Sequence, residues 1–262
     1  MFPGFRADNV ECMRSRLVLA TVIVLSLTLA ACTSSPPVNT GVDATEPSSA
    51  ASDDYSDLSS YYPVAEGNTW EYSMQLPDPL GTVTETETMT EVVRVDDDTV
   101  RATIERTFHY ENGSTDDVTD SVDYVFHSDG SLEVPYQSLP DTSGAVVTVK
   151  SGTMVWPTDE EFEAGTEKTG TIEASANGID QTVDFAIAGG GVESVTVPAG
   201  TFDARLLEQK LEISIPEFSI DGLPIAAKSW LAPGTGLVKT EIPGLMGAGS
   251  VELVLVKFTP AT

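Results

Sequence analysis

The hydrophobic pattern changes twice along the chain. From Leu17 to Ala31 it runs LVLATVIVLSLTLAA without a charge, behind the short basic stretch Met13-Arg14-Ser15-Arg16. A membrane-crossing helix needs roughly 20 apolar residues to cover ~30 Å of hydrocarbon. This run is shorter and carries Ser26 and Thr28 near its end, so it reads as an export signal that is later removed. From Thr33 to Ser60 the chain turns to Ser, Thr, Pro and acidic residues. Such a composition cannot offset its ordering entropy, and a disordered tether is expected there. From Tyr61 onward apolar and polar positions alternate with period two, broken by Gly, Pro, Asn and Asp, which is the pattern of strands and turns.

Val100, Ala102, Ile104, Phe108 and Tyr110 share one strand face, with Thr, Glu and Arg between them. Val118, Val122, Tyr124 and Phe126 repeat the pattern before an Asp129-Gly130 turn. Val183, Phe185 and Ile187 alternate ahead of Gly189-Gly190-Gly191, which reads as a flexible turn. Leu207, Leu211, Ile213 and Ile215 alternate with Glu208, Lys210, Glu212 and Ser214. Val251 to Phe258 is apolar on both faces and predicts a central strand. Thr82 to Glu91 is the exception: Thr82, Thr84, Thr86, Thr88 and Thr90 fill one face, and Val83, Glu85, Glu87, Met89 and Glu91 the other. With no apolar face, it predicts an edge or protruding hairpin strand whose charges discourage pairing.

No long window carries a helical stripe, and Thr158 to Ala164 predicts a single short turn of helix. The fold expected is all-β: one antiparallel, strongly curved sheet or half-open barrel of about ten strands, a sandwich being the other arrangement open to such strands. Residues 1–31 form the signal, 32–60 the lipidated Cys and tether, and 61–262 the β domain. Asp8, Glu11 and Cys12 fit no part of a signal, which makes Met13 a candidate start.

Charge narrows the partners. The chain holds 41 acidic against 13 basic residues, a net charge of −28, and removal of residues 1–31 leaves −29. Phosphate contacts need clustered Lys and Arg, so nucleic acid and anionic lipid surfaces are poor partners. After Cys32 there is no further cysteine, which excludes disulfides and thiolate metal sites from the domain. No catalytic constellation is legible. His109 and His127 sit in no HExxH or triad pattern, and no GxSxG occurs. Asp96-Asp97-Asp98 and Asp116-Asp117 lack calcium-loop spacing and are expected in hairpin turns, as is Asn112-Gly113-Ser114. Neither catalysis nor a cofactor is expected.

Two resemblances add to this reading. Leu29-Ala30-Ala31-Cys32 resembles the lipobox of bacterial lipoproteins. The resemblance implies a lipid transferase that places diacylglycerol on the Cys32 thiol, and a signal peptidase that cuts before it. Palmitate-type acylation and an extracytoplasmic location follow, on the cell membrane or the outer membrane if the cell has one. Two or three acyl chains hold a protein stably where one does not.

Three further motifs stand in order: Tyr61-Tyr62-Pro63-Val64-Ala65-Glu66-Gly67-Asn68-Thr69-Trp70-Glu71-Tyr72, Val197-Pro198-Ala199-Gly200-Thr201-Phe202-Asp203-Ala204, and Ser229-Trp230-Leu231-Ala232-Pro233-Gly234-Thr235-Gly236-Leu237-Val238-Lys239. Together they resemble secreted bacterial proteins and lipoproteins of uncharacterised function, related to DUF3108-like and TapB-like domains. The resemblance implies a half-barrel antiparallel fold and no established activity. Physically the motifs are turns that feed strands: Gly67-Asn68 leads into a strand where Trp70 and Tyr72 share a face and can seed the core, and Pro198 fits a type II turn, a hairpin connection with a bulge being equally allowed; the functional alternative is that they line the mouth of a pocket. The expected function is a membrane-anchored, non-enzymatic binding module for an apolar or lipid-like ligand. A structural or interaction protein of the envelope is the alternative, and a hydrolase with an unrecognised site comes third.

Overall fold

The computed structural model describes residues 60–77, 81–127, 131–134, 147–176, 178–243 and 249–261. The export signal, Cys32, nearly all of the tether and the Asp129-Gly130 turn lie outside the described residues.

All the described strands join one antiparallel sheet of 13. A first meander runs through β1 (Thr69–Gln75), β2 (Thr82–Arg94), β3 (Thr99–Tyr110), β4 (Thr115–Phe126) and β5 (Leu132–Val134). Two short strands follow, β6 (Val147–Ser151) and β7 (Met154–Trp156), and then helix α1 (Asp159–Ala164). A second meander runs through β8 (Glu167–Ala176), β9 (Ile179–Val197), β10 (Gly200–Ile215), β11 (Ile220–Ala232), β12 (Gly236–Ile242) and β13 (Val251–Thr259). The meanders meet where β13 pairs with β1, Tyr72 opposite Leu255 and Met74 opposite Leu253.

At the two far edges stand β6, paired with β8, and β7, paired with β5. These edge strands are neighbours in the chain, joined only by Gly152-Thr153. So short a link brings the outer edges together, and the sheet curls into an open barrel whose hydrogen-bond ladder does not close. Gly152 makes the crossing at φ +87°, and a Cβ there would lie 2.1 Å from the Thr171 carbonyl oxygen. Only glycine fits such a position.

Ten strands have seven or more residues, the number expected; β5, β6 and β7, with three to five, are too short to show a period. The apolar strand Val251 to Phe258 is central, as β13 is seventh of the 13. The helical turn at Thr158 is α1, closed by a capping box in which Thr158 Oγ1 accepts from Glu161 N at 3.1 Å and Glu161 Oε2 accepts from Thr158 N at 3.0 Å.

Four expectations are corrected. β2 is no edge strand; it is paired along its length with β1 and β3. Gly189-Gly190-Gly191 is no turn but the interior of β9, opposite an irregularity in β10 at Arg205 to Leu207. Its glycines let other elements approach, since a Cβ at Gly189 would stand 2.1 Å from the Phe162 carbonyl oxygen of α1. Asp116-Asp117 lies within β4, where Asp117 Oδ1 accepts from Thr107 Oγ1 at 2.8 Å, while Asp96 does close the β2–β3 turn. At Pro198 a type II turn would need positive φ at Ala199, but the positive φ, +143°, falls on Gly200, beyond the two turn residues.

The core is the concave face. Val183, Phe185 and Ile187 of β9, Leu207, Leu211 and Ile213 of β10, and Leu253 and Leu255 of β13 are buried in it. Trp70, Tyr72 and Met74 of β1 join them from the facing meander.

Candidate functional site

Charged side chains from two neighbouring strands, β2 and β3, meet inside this core. Glu85 and Glu87 alternate with Val83 and Met89 on the inner face of β2. In the β2–β3 register Glu87 stands opposite Arg106. Arg106 Nε lies 3.0 Å from Glu87 Oε2 and 3.4 Å from Glu85 Oε1. Arg106 is 1% exposed, Glu85 0% and Glu87 12%. Two glutamates thus share one guanidinium, and of the three side chains only Glu87 keeps some exposure.

The pairing is unequal. Glu87 accepts a hydrogen bond from Arg106, whereas neither Glu85 oxygen has a hydrogen-bond partner among the described residues. Burial pushes the Glu85 carboxyl up to about 8, against the pull of Arg106 and with a further push from Glu87. At neutral pH Glu85 therefore holds its proton. Burial also drives the Tyr72 hydroxyl well above its ordinary range, and Glu87 and Glu85 add to the shift.

Beside this cluster the curved sheet leaves a partly open chamber of about 70 Å³. Its walls come from right around the sheet: Trp70 and Tyr72 from β1, Glu87 and Met89 from β2, Tyr124 from β4, Trp156 from β7, Gln209 from β10, Ser229 and Leu231 from β11, and Gly236 and Leu237 from β12. The segment Tyr62-Pro63-Val64 completes the lining. Tyr62 stands edge-on to Trp156 with ring centroids 4.9 Å apart, and Val64 is fully buried. Asn68 fixes this segment, its Nδ2 donating to Pro63 O at 2.8 Å while its Oδ1 accepts from Ala261 N at 2.8 Å. Trp70 Nε1 donates to Thr235 O at 2.7 Å and Tyr72 Oη to Leu237 O at 3.3 Å, which locks β1 to the turn before β12.

Two polar side chains on the wall are left without partners. Both amide atoms of Gln209, 2% exposed, and Nε1 of Trp156, 9% exposed, make no hydrogen bond among the described residues. Leaving such a group buried and unpaired costs about 1–3 kcal/mol. The pocket therefore offers aromatic walls and one acidic side chain, with the Gln209 amide and Trp156 Nε1 packed out of reach behind its surface.

Nine of the 14 lining residues belong to the first and third motifs, so those turns line a pocket as well as support strands. The second motif contributes none. Neither histidine belongs to the chamber: His109 is exposed on β3, and His127 Nε2 lies 3.0 Å from Glu133 Oε1. Among the described residues no group of three or more His, Cys, Asp or Glu could hold a metal ion. Of the wall, the strand pattern singled out Trp70, Tyr72 and Tyr124 as core; it passed over Glu87, Trp156 and Gln209. Arg106 was there to be found, because it falls in phase with Val100, Ala102, Ile104 and Phe108 rather than between them.

Curvature, an aromatic interior and a plugging N-terminal segment define a half-barrel with a small internal site. The chain belongs to the DUF3108-like family, whose model matches residues 65–242. Two solved structures share the fold. One is a candidate lipoprotein from Parabacteroides distasonis, with TM-score 0.58 and 15% identity over 77% of this chain and 99% of that one. The other is a candidate exported protein with a YmcC-like fold from Bacteroides fragilis, with TM-score 0.54 and 17% identity over 77% of this chain and 100% of that one. No protein of curated function matches the sequence.

Proposed function

We propose that the chain is an exported lipoprotein, cut before Cys32 and held at a membrane by lipid on that residue. Its β domain acts as a non-enzymatic binding module for a ligand with an apolar, lipid-like part. The anchor rests on Leu29-Ala30-Ala31-Cys32 behind the short apolar run, and it accords with the descriptions of the two solved relatives as lipoprotein and exported protein. The binding role rests on one observation, the partly open, aromatic-lined pocket formed by the curved sheet. At about 70 Å³ it takes the end of such a molecule and not a whole acyl chain.

Cys32→Ser is expected to abolish incorporation of labelled palmitate while leaving the strand-rich circular dichroism of the domain intact. Labelling that persists in the variant removes the anchor. Binding is read from tryptophan emission on titration with the neutral apolar probe N-phenylnaphthylamine, alongside native mass spectrometry of protein purified without denaturant. A saturable change or an apolar adduct supports the module, and the absence of both overturns it.

A further inference from the structure

The make-up of the pocket wall bears on the charge of what it holds. We infer that the buried end of the ligand is a quaternary methylammonium group. The inference rests on the pocket being the binding site. Five of the 14 lining residues are aromatic, namely Tyr62, Trp70, Tyr72, Tyr124 and Trp156. Glu87, 12% exposed, is the one acidic residue on the wall, and none of the described lining residues is basic. Aromatic rings attract a cation through their quadrupole, the more strongly where water is sparse. Size agrees as well. At ~10–15 Å³ for each water, 70 Å³ holds about five, as many as the non-hydrogen atoms of tetramethylammonium.

Other occupants fit less well. An anion would meet the Glu87 carboxyl group with no basic side chain on the wall to hold it, and the net charge of −28 repels it at long range. An uncharged apolar end would take the remaining water from Glu87 and give nothing in return. A primary ammonium is strongly hydrated and gains less from rings alone. A metal ion needs several oxygen ligands, and among the described residues no group of three or more His, Cys, Asp or Glu could hold one. Arg106, paired with Glu87 at 3.0 Å, offsets part of the pull on a cation. It is 1% exposed and does not line the pocket, so a bulky ammonium meets the rings and Glu87 and not the guanidinium.

The test is a titration of the full chain with choline, with the uncharged isostere in which carbon replaces the choline nitrogen, and with acetate. A salt concentration of about 0.15 M screens attraction to the acidic surface. Two of the three tryptophans line the pocket, so tryptophan emission reads occupancy, and calorimetry gives the stoichiometry. Choline is expected to bind saturably at one site, about tenfold more tightly than its isostere. In Glu87→Gln, where Glu85 remains beside Arg106, that preference should shrink to about threefold or less. If the variant does not fold, choline against its isostere on the unaltered chain decides alone. An undiminished preference in folded Glu87→Gln puts the cation elsewhere on the acidic surface and overturns the assignment. Equal binding of the isostere, or binding of acetate but not choline, overturns the ammonium and leaves the pocket as a binding site. The ammonium is equally overturned, and the pocket equally kept, if none of the three binds while N-phenylnaphthylamine does. If that probe also fails, both readings fall.

Discussion

Replacing Glu85 by Gln should make the protein more stable at alkaline pH, because it removes a proton that folding must otherwise retain. Glu85 is completely buried, and its carboxyl is raised from 4.5 to about 8. Below about pH 4.5 the folded and unfolded chains both carry this proton, and the group makes no difference to stability. Between about 4.5 and 8 the unfolded chain ionises while the folded chain stays protonated, so stability falls as pH rises. The slope approaches 1.4 kcal/mol per pH unit, giving a loss on the order of 5 kcal/mol that levels off above pH 8. Gln keeps the shape of the protonated acid and has no proton to lose.

Urea unfolding followed by tryptophan fluorescence from about pH 5 to 9 measures both proteins, and subtracting one from the other cancels the many surface carboxylates. The groups facing Glu85 add little slope of their own at the sites that matter: Arg106 remains charged, and burial holds the Tyr72 and Tyr110 hydroxyls up, Tyr110 at about 12. The variant should match the parent within about 1 kcal/mol at pH 5. It should gain steadily up to pH 8. A difference that stays flat across this range, or a variant less stable than the parent at pH 9, refutes a protonated Glu85.

Arg106→Leu leaves Glu87 buried without its partner, and equilibrium unfolding at pH 8 should register a loss of about 3–5 kcal/mol. Adding Glu85→Gln to that variant should restore part of the loss, since it removes the proton that the buried Glu85, now without Arg106, must keep on folding at pH 8. Gly189→Ala sets a methyl group against the Phe162 carbonyl, and its thermal unfolding should reveal a cost of about 2 kcal/mol or more. Gly191→Ala, where a Cβ meets nothing within 4 Å, should stay within about 0.5 kcal/mol of the parent.

The local pattern carried most of the architecture and little of the site. Alternation found β3, β4, β10 and the first part of β9 because each buries one face, and Val251 to Phe258 announced its central position by being apolar on both. β2 was misread because its inner face carries Glu85 and Glu87. What makes that face buriable is Arg106 on the next strand, a cross-strand partner that becomes visible only once the register is known. Gly189-Gly190-Gly191 has the composition of a turn, and its actual role, making room for α1, depends on a helix packed across the strand. Gln209 was legible in principle, as a polar residue in phase with Leu207, Leu211 and Ile213. Trp156 was not, since a three-residue strand shows no period.

The middle place of β13 also sets the order in which the domain can be made. Its partners in β1 sit at the other end of the domain's chain, Thr69 against Thr259 and Gln75 against Glu252. A ribosome therefore delivers the keystone last. Until then the first meander waits with β1 as an open edge and the second ends at β12, and pairings so distant in sequence form slowly. Machinery that must thread the chain in extended form thus meets no finished fold until β13 has emerged. A truncation of only the last strand would leave two half-sheets, each with a bare edge open to its neighbours in solution.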